Sequence, residues 1–248
     1  MPFVKERHDV PAGFFEVEAA GLRWLSVPGG PPVVQPLEVS AGRLVLPQVD
    51  SAPPTPAAAE DFGRRLAVMH DAGARHFGVP PDGWHGDGYI GTADLPHAQE
   101  PVGSWGEFYA TYRLRPFLRT AYDRGTIGER ELAVFDRVCE RVAADPGEEP
   151  GRIHGDLWSG NVLWSSAGVH LIDPAAHGGH RETDLAMLAL FGLPHLDRVL
   201  RAYDEAHPLA DGWRDRVSLH QVHPLLVHVV LFGSSYVGQA VAAARRYA

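Results

Sequence analysis

The stretch that most constrains this chain is H-G-D-L-W-S-G-N, residues 154–161, which runs directly into the apolar residues V-L-W. A second apolar run ending in aspartate, V-H-L-I-D at 169–173, follows after a short turn signal, and two such runs predict a β-hairpin. Asp156 lies just before its first strand, Asn161 at the start of that strand, and Asp173 at the end of the second. We therefore expect these three side chains to meet at one end of the hairpin.

Two carboxylates and a carboxamide at one point suit Mg²⁺, which takes oxygen ligands and keeps few protein contacts besides substrate phosphates. If Asn161 and Asp173 hold the metal, Asp156 is left to accept a proton from an attacking hydroxyl, as phosphoryl transfer requires. The spacing D-x-x-x-x-N is that of the kinase catalytic loop. The alternative is a tight turn without chemistry, because Asp and Asn commonly bond nearby backbone groups in turns. The joint occurrence of the hairpin and all three residues favours chemistry.

The first 50 residues are expected to form a small β-rich lobe. Segments 3–5, 32–34 and 43–46 have the composition of short strands, and residues 14–25 carry apolar side chains at helical spacing. We assign residues 1–50 to this lobe.

The proline-rich segment S-A-P-P-T-P-A-A-A at 51–59 is the best linker, because its prolines block both helix and sheet continuation. Helical spacing then begins with residues 62–69 and returns in 132–142. We therefore assign residues 51–248 to a larger, mainly helical lobe that also carries the hairpin.

A phosphoryl-transfer site also needs a lysine for the phosphates and a glutamate to hold it. Lys5 on the first predicted strand and Glu18 on the following helix can form that pair. The alternative is a solvated lysine near the terminus, since an isolated surface pair contributes little. Without the predicted hairpin, neither Lys5 nor Glu18 would be a candidate site residue.

Charge and composition exclude several classes of partner. The chain has 22 basic and 31 acidic residues, a formal net charge of -9 and no basic run, which argues against nucleic acid and anionic membranes as partners.

Cys139 is the only cysteine, so no intrachain disulfide can form, and its apolar surroundings predict a buried structural thiol. The N-terminal residues lack the apolar core of a signal peptide, and the apolar run 225–232 is too short to span a bilayer. We expect a cytoplasmic protein with a small-molecule substrate; the oligomeric state stays open.

A metallohydrolase is a competing hypothesis, motivated by fourteen histidines and by the closeness in sequence of Asp173, His177 and His180. Neither H-E-x-x-H nor G-x-S-x-G is present, and one cysteine cannot form C-x-x-C. His177 and His180 lie in a glycine-containing loop, where a role in the turn or toward the substrate serves equally well. We take His180 as a candidate substrate contact.

The chain resembles the fructosamine kinase (ketosamine-3-kinase) family, which has a protein-kinase-like, aminoglycoside-phosphotransferase-like fold. The resemblance covers the chain almost end to end. It rests on H-G-D-L-W-S-G-N (154–161), I-D-P-A-A-H-G-G-H-R-E-T-D-L-A-M (172–187), F-G-V (77–79), Y-I-G (89–91), R-L-R-P-F-L (113–118) and L-L-V-H-V-V-L-F-G-S-S-Y (225–236). It implies an α+β, two-lobed protein-kinase-like fold with a small β-rich lobe and a larger helical lobe carrying a catalytic β-hairpin.

The resemblance also implies a role for each polar candidate, with ATP and Mg²⁺ as cofactors. Asp156 would be the catalytic base, Asn161 and Asp173 the metal ligands, Lys5 the phosphate lysine and Glu18 its partner.

Three further residues acquire expected roles. Trp158 would face the sugar; the less favoured alternative is that its aromatic side chain simply packs the lobe. The backbone of the hinge L-V-L-P-Q-V, which contains Leu46 and Val49, would meet the adenine.

Family members phosphorylate the 3-hydroxyl of a ketosamine such as fructoselysine, and the unstable product breaks down and frees the amine, a deglycation. The main alternative is a kinase of another amino sugar or of an aminoglycoside, because such cationic substrates would also suit the net negative charge of the chain. Trp158 and D-P-A-A-H-G-G-H favour the ketosamine.

One departure concerns the N-terminus. Members of this fold begin with two strands joined by a glycine-rich loop over the phosphates, whereas this sequence begins in the lysine strand. We therefore expect either a start assigned too late or an N-terminally truncated small lobe. Truncation would weaken phosphate positioning and raises a further alternative, a catalytically impaired nucleotide-binding relative.

Overall fold

The computed structural model describes residues 2–248. Its strands are β1 (Phe3–Glu6), β2 (Glu38–Ser40), β3 (Arg43–Leu46), β4 (Gly88–Ile90), β5 (Ala93–Leu95), β6 (Gly151–Ile153), β7 (Val162–Ser165), β8 (Gly168–Leu171) and β9 (His177–Gly179). Its α-helices are α1 (Phe14–Leu25), α2 (Pro56–Asp71), α3 (Trp105–Phe108), α4 (Arg115–Asp123), α5 (Glu129–Val142), α6 (Arg181–Leu190), α7 (Leu196–Ala206), α8 (Trp213–Phe232) and α9 (Val237–Tyr247). A π-helical segment spans Tyr109–Leu114, and 3₁₀ turns lie at Ser159–Asn161 and Ser234–Tyr236.

The small lobe is a three-stranded antiparallel sheet in the order β1-β3-β2, with α1 packed against it. Lys5 lies opposite Leu44, and the buried face of α1 contributes Phe15 and Leu22 to the core behind the sheet. The predictions for β1, α1 and β3 are confirmed. The predicted strand at 32–34 is wrong, because the surrounding prolines remove backbone donors and leave only a single bridge to the hairpin.

The helical lobe begins at a well-marked helix start. Thr55 Oγ1 accepts a hydrogen bond from the backbone N–H of Ala58 at 3.2 Å, and Pro56 occupies the first turn of α2. Helix α2 packs closely on α7 at Gly63. A Cβ atom at this position would lie only 2.2 Å from the carbonyl oxygen of Val199, so only glycine fits there. The proline-rich segment therefore ends where a capped helix begins.

One apolar core runs through both predicted lobes. It joins side chains of the small lobe, such as Leu44, to Phe62 on α2, Leu171 on the hairpin and Tyr203 on α7. A second core lies among α4, α5, α8 and α9, where Cys139 is fully buried and its burial raises the pKa of the thiol to about 11. The lobe boundary near residue 50 stays a prediction; the buried position predicted for the thiol is confirmed.

The predicted hairpin is present as β7 and β8, with Val162 opposite Leu171. Backbone hydrogen bonds between Val34 and Leu171 and between Leu171 and Pro32 tie it to the small lobe. Beside it, β6 pairs with β9, so the loop of residues 154–161 is held between two short sheets. This arrangement fixes the loop that carries the polar residues.

The apolar C-terminal run forms the second half of α8 and is a core helix, as predicted, with Leu225, Leu226 and Val229 buried. Within residues 2–248, the helices lack the combination of length and apolar character that a membrane span needs.

Candidate active site

The polar residues singled out in the sequence line one cleft of about 690 Å³. Its walls come from β1, the start of α1, the β4–β5 hairpin, the 154–161 loop, the end of β8 and the end of α8. Lys5, Glu18, Asp156, Asn161 and Asp173 all face this cleft. The structure therefore brings together five residues that are up to 168 positions apart in the chain.

Asn161 organises the 154–161 loop. Its Nδ2 donates to the backbone carbonyl of Asp156 at 2.8 Å, to the Oδ2 carboxylate oxygen of Asp156 at 3.1 Å and to the carbonyl of Asp173 at 3.4 Å. The backbone N–H of Asn161 donates to the carbonyl of Trp158 at 2.9 Å and closes the 3₁₀ turn. A side chain that is 5% exposed thus ties both ends of the hairpin to Asp156.

Lys5 is the only lysine in the chain and is bound from two sides. Its Nζ lies 2.6 Å from Glu18 Oε1 and 2.7 Å from Asp173 Oδ1. Burial raises the pKa of Glu18, and the positive charge of Lys5 works in the opposite direction. The lysine therefore links β1, α1 and the end of the hairpin by charged contacts.

Asp156 has the environment of a general base. Burial raises the pKa of its carboxyl to about 7; the hydrogen bond from Asn161 opposes this rise, and the charges of Asp173 and Asp184 add to it. A carboxylate poised near neutrality is well matched to accepting a proton at ordinary pH.

Asp173 adopts an uncommon backbone conformation. Its φ is +55°, in the left-handed region that non-glycine residues rarely occupy, although Asp tolerates it better than most. This conformation follows directly after β8 and places the carboxylate beside Lys5 while the carbonyl faces Asn161. Such local strain is concentrated at functional sites.

Asp184 is the residue that the sequence reasoning missed. It is fully buried on α6 and accepts hydrogen bonds from the backbone N–H groups of His154 at 2.7 Å and Gly155 at 2.9 Å, and from His70 Nε2 at 3.2 Å. Burial alone would raise the pKa of this carboxyl, but the hydrogen bond from His70 and the interactions with His154 lower it overall. An ionised carboxylate therefore anchors the backbone immediately before Asp156.

Trp158 also lines the cleft and is 40% exposed, so its indole is available to a bound molecule. The hinge residues are placed differently: Leu46 is buried in the apolar core, and Val49 is half-buried against it. Neither side chain lines the cleft. The structure thus does not bring the predicted hinge side chains to the other site residues.

The expectation that His180 faces the substrate is not supported by its placement. The side chain is 4% exposed, caps the N-terminus of α6 by accepting from the backbone N–H of Glu182, and packs against Trp105 and His220. It lies outside the residues that line the cleft, because tertiary packing uses it as a buried helix cap.

Two groups of side chains in residues 2–248 offer metal ligands. The amide nitrogen of Asn161 donates to Asp156, which leaves Oδ1 of Asn161 as a possible metal ligand. Lys5 contacts Oδ1 of Asp173, which leaves Oδ2 of Asp173 as a second possible ligand. This pair suits a hard divalent cation.

The other group is buried and consists of His180, Glu182 and His220, whose candidate ligand atoms lie within 4.8 Å of one another. Both carboxylate oxygens of Glu182 are already hydrogen-bonded to Arg216. Asp173 is not part of this group, so the clustering that motivated a metallohydrolase is not formed.

Known proteins are similar to this chain over nearly its whole length. The sequence model of a family described as fructosamine kinase matches residues 2–247. A protein of Enterococcus faecium named "Probable ketoamine kinase" is 34% identical over 242 residues, covering 96% of this chain and 84% of that protein. A crystal structure described as "putative fructosamine-3-kinase" from Thermobifida fusca is 51% identical, with a TM-score of 0.92 over 99% of this chain and 85% of that one.

A more distant likeness bears on the fold alone. An aminoglycoside phosphotransferase in a ternary complex with ADP and hygromycin B is 13% identical, with a TM-score of 0.60, covering 95% of this chain and 83% of that one. The predicted α+β, two-lobed, protein-kinase-like fold is confirmed.

Proposed function

Because this chain belongs to the fructosamine kinase family, we propose that it transfers a phosphoryl group from ATP to the 3-hydroxyl of a ketosamine. The observation that carries the proposal is the convergence of Lys5, Asp156, Asn161 and Asp173 in one cleft. The product is expected to break down and free the amine, which makes the activity a deglycation. The small-molecule acceptor is a glycated amine.

The transfer step assigns one role to Asp156. The 3-hydroxyl gives its proton to the Asp156 carboxylate as its oxygen attacks the γ-phosphorus of ATP. A new bond forms between that oxygen and the phosphorus, while the bond from phosphorus to the bridging β,γ-oxygen breaks and ADP leaves with the electron pair. The pKa of about 7 lets the carboxylate accept the proton near neutral pH.

The remaining polar residues position the phosphates. Asn161 and Asp173 would hold Mg²⁺, which neutralises phosphate charge when bound. Lys5 would donate to phosphate oxygens, and Glu18 keeps its ammonium group directed into the cleft through the 2.6 Å contact. Trp158 would stack on the apolar face of the sugar or attract the positively charged ketosamine nitrogen.

We expect Lys5→Met to lower kcat/KM for ATP by about 10²-fold, the loss typical of removing one preorganised donor to a developing negative charge. The loss follows because methionine keeps the length of the side chain but cannot donate to phosphate. Steady-state kinetics at saturating ketosamine measure it. Arg23→Met is the matched control, since Arg23 is an exposed cation on α1 outside the cleft; equal losses in both variants would contradict the role of Lys5.

Removal of the metal is expected to abolish turnover. With excess EDTA, ADP release should fall to background, and added Mg²⁺ should restore it, because Asn161 and Asp173 offer oxygen donors. The measurement is a coupled ADP assay with and without chelator. Turnover that persists in EDTA at an undiminished rate would rule out the metal-binding role of these residues.

The proposal as a whole is tested by ADP release from Mg-ATP with fructoselysine as acceptor and with kanamycin as the comparison. We expect release with fructoselysine that exceeds both the kanamycin reaction and the acceptor-free hydrolysis. Faster release with kanamycin would instead assign the chain to aminoglycoside phosphorylation. Background rates with both acceptors would contradict a kinase of either kind.

A further inference from the structure

An aromatic cluster borders the cleft, and only one of its members, Trp158, has a role in the function proposed above. We call it the aromatic patch and define it as Trp158, Phe191, His228, Phe232 and Tyr236. The ring centroids of Phe191, Phe232 and Tyr236 lie 4.9, 5.3 and 4.9 Å from that of His228, and Trp158 meets Phe191 edge-on at 6.2 Å. These five rings form one continuous surface, assembled from the 154–161 loop, the residue that follows α6, and the end of α8 with the 3₁₀ turn after it.

The aromatic patch is open to solvent. Trp158 is 40% exposed, Phe191 38% and Phe232 62%. Single exposed apolar residues are ordinary on protein surfaces, whereas a contiguous group of them marks a place where something binds. The most exposed of the three, Phe232, is the last residue of α8, directly before Gly233 ends the helix with a φ of +84°.

The aromatic patch carries no formal charge at neutral pH. Nδ1 of His228 lies 2.7 Å from the carbonyl of Pro224 and donates to it, and burial lowers the pKa of the imidazole. His228 therefore stays neutral and acts as the central ring of an apolar surface. This surface offers aromatic faces and edges to a ligand, with no ion pair.

The aromatic patch continues the wall of the catalytic cleft. Trp158 and Phe232 line the cleft itself, and Trp158 lies two residues after Asp156. Charged residues of β1 and the chain after it, Lys5, Glu6 and Arg7, line the same cleft. Phosphates suit these charged residues, and the aromatic side chains suit the acceptor.

The chemistry of the acceptor specifies which part of it reaches the aromatic patch. In a ketosamine, only carbons 1 to 3 of the sugar separate the amine nitrogen from the hydroxyl that reacts. With the hydroxyl at Asp156, the group attached to the nitrogen stays near that residue, and Trp158, two positions along the chain, and Phe232 line the same cleft.

We propose that the aromatic patch binds the substituent on the ketosamine nitrogen and selects ketosamines whose substituent is apolar and extended, such as a benzyl group. This inference rests on the proposed function and adds the class of amine. The nitrogen itself is a cation that the aromatic faces attract, and the ring beyond it is removed from water against Phe191 and Phe232.

The test compares two acceptors that share the sugar and the cationic nitrogen, N-fructosyl-benzylamine and N-fructosyl-methylamine. In the unaltered protein, kcat/KM should be roughly 10-fold or more higher for the benzyl compound, the gain expected from burying an aromatic ring. Phe232→Ala and Phe191→Ala should each reduce that ratio severalfold, up to about 10-fold. Tyr122→Ala is the matched control, because Tyr122 is 41% exposed on α4 and outside the cleft; it should keep the ratio of the unaltered protein.

The outcomes separate this inference from the proposed function. If the unaltered protein turns over neither compound, the proposed function fails. If it turns over both and neither Phe232→Ala nor Phe191→Ala lowers the benzyl-to-methyl ratio, the kinase assignment stands and the aromatic patch has no role in selecting the amine. Far-ultraviolet circular dichroism of each variant shows that it is folded, so that a changed ratio reports on binding.

Discussion

Asp156→Asn is expected to lower kcat by about 10²- to 10⁴-fold, the range typical of losing a general base. The amide of asparagine has nearly the shape of the carboxylate but cannot accept a proton from the 3-hydroxyl. Nucleotide affinity should change little, because Lys5, Asn161 and Asp173 stay in place around the phosphates. Steady-state kinetics with fructoselysine and equilibrium binding of ATP measure the two quantities separately.

The matched control is Asp123→Asn, which removes an exposed carboxylate from α4, away from the cleft. We expect its kcat to match that of the unaltered protein. A kcat for Asp156→Asn equal to that of the control would remove Asp156 from the mechanism.

Asp184→Ala is expected to lower the free energy of unfolding by roughly 3 kcal/mol or more, since each buried donor left without an acceptor costs about 1–3 kcal/mol. The change leaves the backbone N–H groups of His154 and Gly155 without their acceptor, and it leaves His70 without its carboxylate partner. Buried donors without acceptors are costly. Urea denaturation with linear extrapolation measures the loss.

The same variant should also lose turnover at temperatures where it remains folded, because the backbone before Asp156 is no longer held from α6. Asp61→Ala is the control: it removes an exposed ion pair with Arg65, and such pairs are worth at most about 1 kcal/mol. Equal urea midpoints for the two variants would show that Asp184 does not anchor the loop.

The parts of the fold that could be predicted are those with local signals. Helix α1 is bounded as expected from apolar spacing alone, and the β7–β8 hairpin follows from two apolar runs separated by a turn. The convergence of Asp156, Asn161 and Asp173 follows in turn from the geometry of that hairpin. Local pattern and final structure agree here because the apolar spacing within each element matches the face that the fold buries.

The parts that could not be predicted depend on contacts between distant residues. Asp184 reaches His70 across 114 positions, and nothing in the residues around either one indicates the pair. His180 was expected to face the substrate because it lies among glycines, yet packing against Trp105 makes it a buried cap. The aromatic patch likewise draws on three separated segments, so its continuity is visible only in three dimensions.

The most direct measurement of the central claim is ³¹P nuclear magnetic resonance of the reaction of this chain with Mg-ATP and fructoselysine. We predict that ADP appears together with a new phosphate ester whose phosphorus couples to the proton on carbon 3 of the sugar. The same resonance should be nearly absent with Asp156→Asn. An ester at another carbon, or spectra that show ADP and inorganic phosphate but no ester from the earliest times of the reaction onward, would contradict the account.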